Sequence, residues 1–194
     1  MADTARLMTA DEFLDWCIQP ERAEEKWEFV DGYPVEMMTG TTDRHDQIVV
    51  NLIAALVQRL RGGPCAPRTA DQAIKTMKDR RVRRADVLVD CGPRDPKGLH
   101  SKTPTVVIEV LSPSTANLTR SIKVDEYKGL ETVKHIVLLE QDAAKGWLHS
   151  RAANDAWTAT EIEGLDATLK LPGIGADLPM AEIYADVAFE GGAG

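Results

Sequence analysis

The segment Thr105–Leu111 (TVVIEVL) constrains the fold of this chain more than any other. A short run rich in β-branched residues, apolar but for one acid, marks a strand covered on both faces. A second run of this kind, His135–Glu140 (HIVLLE), follows a helical stretch spanning about Leu118 to Gly129. A helix between two strands invites parallel pairing, so the expected architecture is a mixed sheet with helices on its faces. Glu109 interrupts the first run. By strand alternation it shares a face with Val107 and Leu111, which argues against a solvated face. An ionised carboxylate there is costly unless a metal ion or a cation such as lysine compensates it, or unless it is held as the neutral acid.

Around these runs the chain reads as one domain over residues 1–189, with a Gly-rich tail, 190–194, expected to fray. Thr9 and Glu12 form a capping box ahead of a short helix. Trp27–Met37 (WEFVDGYPVEM) alternates about an Asp-Gly dipeptide and predicts a β-hairpin. Ile48, Leu52, Leu56 and Leu60 recur at helical spacing within about Asp43–Arg61, and Gly62-Gly63 stops that helix. Strands are predicted at Asp71–Met77 and Ala85–Cys91, and a late hairpin at Lys145–Arg151 and Trp157–Ile162. Leu178-Pro179-Met180 opens a last helical turn, with Pro179 at its first position. The core order is helix, strand, strand, strand, helix, strand. This is an α/β chain of the α+β mixed-sheet type, with an N-terminal helix and hairpin annex and a C-terminal β-hairpin.

The 194 residues carry a formal net charge of −8. Contact with nucleic acid therefore requires a local basic patch or a metal ion. No apolar run approaches the ~18 residues of a membrane span, and the first residues lack the apolar stretch of a secretion signal, so a cytoplasmic protein is expected. Cys17, Cys65 and Cys91 form no Cys-x-x-Cys pair, and their odd number predicts free thiols. The four histidines show no His-x-x-x-His spacing.

Two further residues join Glu109 in a recognisable chemistry. Asp86 heads the run Val87-Leu88-Val89, and Lys123 lies on the helix after the Glu109 strand, with Tyr127 one turn further along the same face. Carboxylates from neighbouring strands can hold Mg²⁺, which favours oxygen ligands and retains waters. A metal so held activates water, and a lysine nearby stabilises charge in a phosphodiester-cleaving transition state.

Asp86, then VVIEVLSPST around Glu109, then Lys123 and Tyr127 before HIVLLEQD, resembles the Uma family of predicted bacterial restriction endonucleases, within the PD-(D/E)XK nuclease superfamily. WEFVDGYPVEMM resembles that family's N-terminal signature, and RHDQIVVNLIAALVQRLRGGPC its following helix. The resemblance implies a restriction endonuclease-like core and Mg²⁺ (or Mn²⁺) held by Asp86 and Glu109. It implies a helix lysine, Lys123, in place of one two residues after the acid, where this chain has Leu111. It also implies that Glu28 belongs to the same pocket and that His45 and Tyr127 are accessory. DNA as substrate and a homodimer follow at family level. The chain departs from the family pattern at Ala85, where proline is common, and at Thr119, where aspartate is common.

Lys75, Lys78, Arg80, Arg81, Arg83 and Arg84 lie within ten residues that contain one acid, Asp79. Such a cluster suits phosphate binding, and Arg61 and Arg68 extend it; its bland alternative is a solvated hairpin tip guarding a strand edge. The functional expectation is a Mg²⁺-dependent endonuclease. Its alternatives are a non-enzymatic nucleic-acid-binding or regulatory module on the same fold, and a hydrolase of small phosphorylated molecules.

Overall fold

The computed structural model describes residues 7–22, 24–37, 40–112 and 119–189. The tail 190–194 and most of the segment LSPST lie outside them.

Helix α1 (Ala10–Cys17) begins at Thr9, whose hydroxyl accepts the Glu12 N–H while the Glu12 carboxylate accepts the Thr9 N–H, as a capping box requires. Strands β1 (Trp27–Val30) and β2 (Tyr33–Glu36) form the expected hairpin. Asp31 and Gly32 both take positive φ at its turn, the combination that matches the twist of a two-residue hairpin. Helix α2 (Asp43–Leu60) follows. Then come β3 (Ala66–Thr69), β4 (Ile74–Thr76), β5 (Arg81–Arg83), β6 (Val87–Asp90) and β7 (Pro104–Leu111). A π-helical turn (Thr119–Lys123) runs into α3 (Val124–Lys128) and is followed by β8 (His135–Glu140). Hairpin β9 (Lys145–Arg151) and β10 (Trp157–Glu163) is as expected. Strands β11 (Thr168–Leu171) and β12 (Ala176–Pro179) and helix α4 (Met180–Ile183) complete the chain, with Pro179 as the N-cap of α4.

The central sheet has the order β10-β9-β8-β7-β6-β3. β7 and β8 pair in parallel, β7 and β6 antiparallel. Every residue of β7 is buried, because the sheet is covered on both faces. On one face Val106, Ile108 and Val110 meet Ile48, Leu52 and Leu56 of α2, together with Leu169, Leu178 and Ile183 from the C-terminal elements. On the other, Val107 and Leu111 meet Val124 and Tyr127 of α3. A second sheet, β2-β1-β5-β4, packs on α1 through Phe13, Leu14, Phe29 and Val82 and forms the annex.

Two expectations are corrected. The strand predicted at Asp71–Met77 is β4, which belongs to the annex; the neighbour of β6 is β3, which sequence reading missed. Ala66-Pro67-Arg68-Thr69 has no apolar alternation, and its proline is tolerated because β3 is an edge strand. Cys65 and Cys91, expected as free thiols, form a disulfide, because β3 and β6 bring the residues flanking them side by side; Cys17 is free.

Ile108 is fully buried at the centre of the sheet. Ile108→Ala should lower stability by about 2–5 kcal/mol, read as a lower urea midpoint at unchanged slope.

Candidate active site

The register that sets Val87 opposite Ile108 places Asp86 opposite Glu109. Asp86 Oδ2 accepts the Val110 N–H at 2.7 Å and lies 3.3 Å from His45 Nε2. His45 sits in the first turn of α2, where its backbone N–H is accepted by the Thr42 hydroxyl. Thr42 in turn bonds Gln141, and Arg44 pairs with Asp142, so the start of α2 is fastened to the end of β8. This brings a positive helix end to the carboxyl ends of the parallel strands, where ligands bind in α/β sheets. Burial opposes a charged His45, but the Asp86 carboxylate and the nearby Glu109 charge outweigh it and raise its pKa. Its Nδ1 is buried without a hydrogen-bond partner among the described residues.

Glu109 is 5% exposed. Its Oε1 accepts the Tyr127 hydroxyl at 2.7 Å and lies 3.4 Å from Lys123 Nζ. Burial pushes its pKa up to about 7; Lys123 opposes the rise and the charge of Asp86 adds to it. Lys123 also lies 3.0 Å from Glu28 Oε1. Burial works against its ammonium, yet the charges of Glu109 and Glu28 prevail and raise its pKa, so it stays protonated. The π-helical turn ends on Lys123, and four residues of helix then carry Tyr127 to the same carboxylate.

Glu28 reaches Lys123 from β1. Its Oε1 accepts the Arg84 N–H and its Oε2 accepts Arg83 Nη1 at 2.7 Å. Arg83 reaches back to α3 in a two-pronged contact, Nε at 2.8 Å and Nη2 at 2.6 Å from the Glu126 carboxylate. Glu126 also accepts Thr76 and Arg81, and Arg81 pairs with Asp31. Sequence reading missed Glu126, which looks like any acid on a short helix. The available signal was the alternation of Arg81 and Arg83, which puts two cations on one side of a strand and calls for an acid opposite.

The basic cluster therefore divides. Arg81 and Arg83 neutralise carboxylates inside the protein. Lys75 pairs with Asp11 and Asp79, and Arg84 donates to the carbonyls of Trp27, Ala70 and Asp71. Arg80 is 70% exposed and pairs with Asp31, and Lys78 is exposed at the turn. Folding commits most of these cations to the annex before any phosphate arrives.

Among the described residues, no three His, Cys, Asp or Glu side chains gather into a metal cluster. Mg²⁺ does not need one, since it binds through one or two carboxylates and keeps its waters. Asp86 Oδ1 and Glu109 Oε2 make no hydrogen bond with any described residue. Two opposed carboxylates, each held by one oxygen with the other available, fit a hard divalent cation.

Two outcomes follow from this geometry. Arg83→Met removes a buried cation shared by Glu28 and Glu126, and should cost about 3 kcal/mol in chemical denaturation. In metal-free protein the raised pKa of Glu109 means that its protonated form favours the fold, and this contribution is lost as pH rises through about 7. Thermal melts of Glu109→Gln should therefore gain on wild type between pH 5 and pH 8, both values set by that pKa.

Residues 10–181 match the Uma2 family, described as "Putative restriction endonuclease". An uncharacterised protein of Synechocystis sp., slr1290, is 30% identical over 94% of each chain. A second from that organism, sll1609, is 23% identical over 86% of this chain and 94% of its own. The crystal structure of a protein titled a putative nuclease belonging to DUF820, from Anabaena variabilis, superposes with a TM-score of 0.68 at 17% identity, covering 92% of this chain and 98% of that one. The chain, annex and mixed sheet together, belongs to the Uma2 family.

Proposed function

We propose that this chain is a metal-dependent endonuclease that hydrolyses phosphodiester bonds of DNA. The observation that carries the reading is that Glu109 stands beside both Asp86 and Lys123, with one oxygen of each carboxylate free of hydrogen bonds to described residues. Asp86 and Glu109 would hold Mg²⁺ or Mn²⁺. The bound ion supplies a water of lowered pKa and polarises a phosphoryl oxygen. Lys123 is held as a permanent cation and offsets charge that develops on the phosphate. Tyr127 fixes the carboxylate plane of Glu109, and Glu28 keeps Lys123 from swinging away. His45 orients Asp86 through Nε2.

Cleaving both strands of a duplex calls for two such sites, which a symmetric homodimer supplies. A DNA substrate suits a protein that works in the cytoplasm.

One observation favours the non-enzymatic alternative: Lys123 already supplies Glu109 and Glu28 with a shared counter-charge without a metal. Two measurements separate the readings. Wild-type protein should nick supercoiled plasmid in Mg²⁺ or Mn²⁺, and Asp86→Asn, Glu109→Gln and Lys123→Met should each lower the rate by about 10²-fold or more. Calorimetric Mn²⁺ titration should show binding to wild type that Asp86→Asn abolishes. Cleavage that survives Glu109→Gln in a clean preparation, or wild type that binds no metal, would overturn the endonuclease reading.

A further inference from the structure

Most cations near the candidate site are spent on the protein's own acids, but one group is not. Arg61, Arg68 and Arg94 line a single open cavity of about 330 Å³ beside β3, together with Val57, Cys65 and Pro67. None of the three pairs with an acid among the described residues; Arg68 donates only to the Pro67 carbonyl. Arg59, two residues before Arg61 in the last turn of α2, is by contrast taken up by Glu182 and the Asp177 carbonyl.

Three guanidiniums gathered without a counter-charge, in a chain of net charge −8, repel one another unless an anion joins them. The chain brings them together from separate places. Arg61 follows the last turn of α2, Arg68 lies on the edge strand β3, and Arg94 lies in the loop after β6. Guanidinium matches the geometry of a phosphate and keeps its charge at any working pH. The cavity is open, which suits a polymer passing over it better than an enclosed small molecule.

Its position ties it to the site. β3 and β6 run antiparallel from Thr69 opposite Val87 to Ala66 opposite Asp90. Asp86 stands at one end of this strand pair, and Cys91, three residues before Arg94, at the other. α2 runs from His45, beside Asp86, to Arg61 just past its last turn, about 24 Å at 1.5 Å per residue, or about seven nucleotide steps of one B-DNA strand.

We propose that Arg61, Arg68 and Arg94 form a phosphate track along the β3 edge that holds the DNA backbone to one side of the Asp86–Glu109 pocket. The proposal rests on the nuclease reading for the identity of its ligand. The track contacts phosphate alone, so it adds affinity and register without sequence preference.

The test measures binding of a fluorescein-labelled duplex of mixed sequence by anisotropy in EDTA, over a salt series, in parallel with plasmid cleavage in Mg²⁺. The triple variant Arg61→Ala/Arg68→Ala/Arg94→Ala should weaken binding about tenfold or more and flatten the slope of log K against log salt by about 2–3. Lys170→Ala, an exposed cation on β11, should change neither. Glu109→Gln should bind as wild type and fail to cut. A triple variant that binds with wild-type affinity and slope overturns the track even if wild type cuts; the guanidiniums would then be guards of an open strand edge. If the triple variant loses binding while wild type never cuts, the track stands and the nuclease reading falls. Wild type that neither binds nor cuts the duplex overturns both.

Discussion

The ammonium of Lys123, held between Glu28 and Glu109, is the contact on which the rest of the site depends. β7 is covered on both faces, so Glu109 must find its counter-charge inside the protein. The helix after the strand provides it. A buried lysine between two acids leaves one negative charge over, and Arg83 meets that charge through Glu28. Arg83 also binds Glu126, which returns the chain of charges to α3, three residues after Lys123 and next to Tyr127. The circuit is closed: sheet to helix, helix to annex, annex back to helix. In a low-dielectric interior each link is strong because the others keep it satisfied, and an orphaned member is correspondingly costly.

That circuit gives the N-terminal annex a purpose beyond packing. Its small apolar core of Phe13, Leu14, Phe29 and Val82 holds β1 and β5 rigidly side by side. Rigid strands fix Glu28 and Arg83, and those two fix Lys123 at a set distance from the sheet. On the opposite side, the capped start of α2 sets His45 against Asp86. The two carboxylates are therefore positioned from different layers of the molecule, each by one oxygen. Groups held in this way need little movement when charge develops beside them, which is what the proposed electrostatic role of Lys123 requires.

Much of the molecule was legible from residue order. The capping box at Thr9, the Asp-Gly hairpin, the apolar residues at every fourth position of α2 and the runs at β7 and β8 each carry a local signal that tertiary contacts reinforce. The burial of Glu109 was legible for the same reason: alternation alone puts it on an apolar face. The edge strand β3 was not, since a polar, proline-bearing strand has no periodicity to detect and exists because β6 offers it hydrogen bonds. The disulfide followed from that missed pairing.

The sequence by itself determined which residue types meet which strands: an acid in an apolar run, another at a strand head, a lysine on the next helix. Only the tertiary structure decided which cations serve the fold and which face outward. Arg81 and Arg83 looked like a phosphate-binding surface in the linear chain but are drawn inward, because the interior holds Glu28 and Glu126 and cannot leave them unpaired. Arg61, Arg68 and Arg94, far apart in sequence, come together because strand pairing brings the end of α2, the sheet edge and the loop after β6 to one place. Local patterning fixes where a charge sits along the chain; which charges find partners depends on distances that only the assembled layers define.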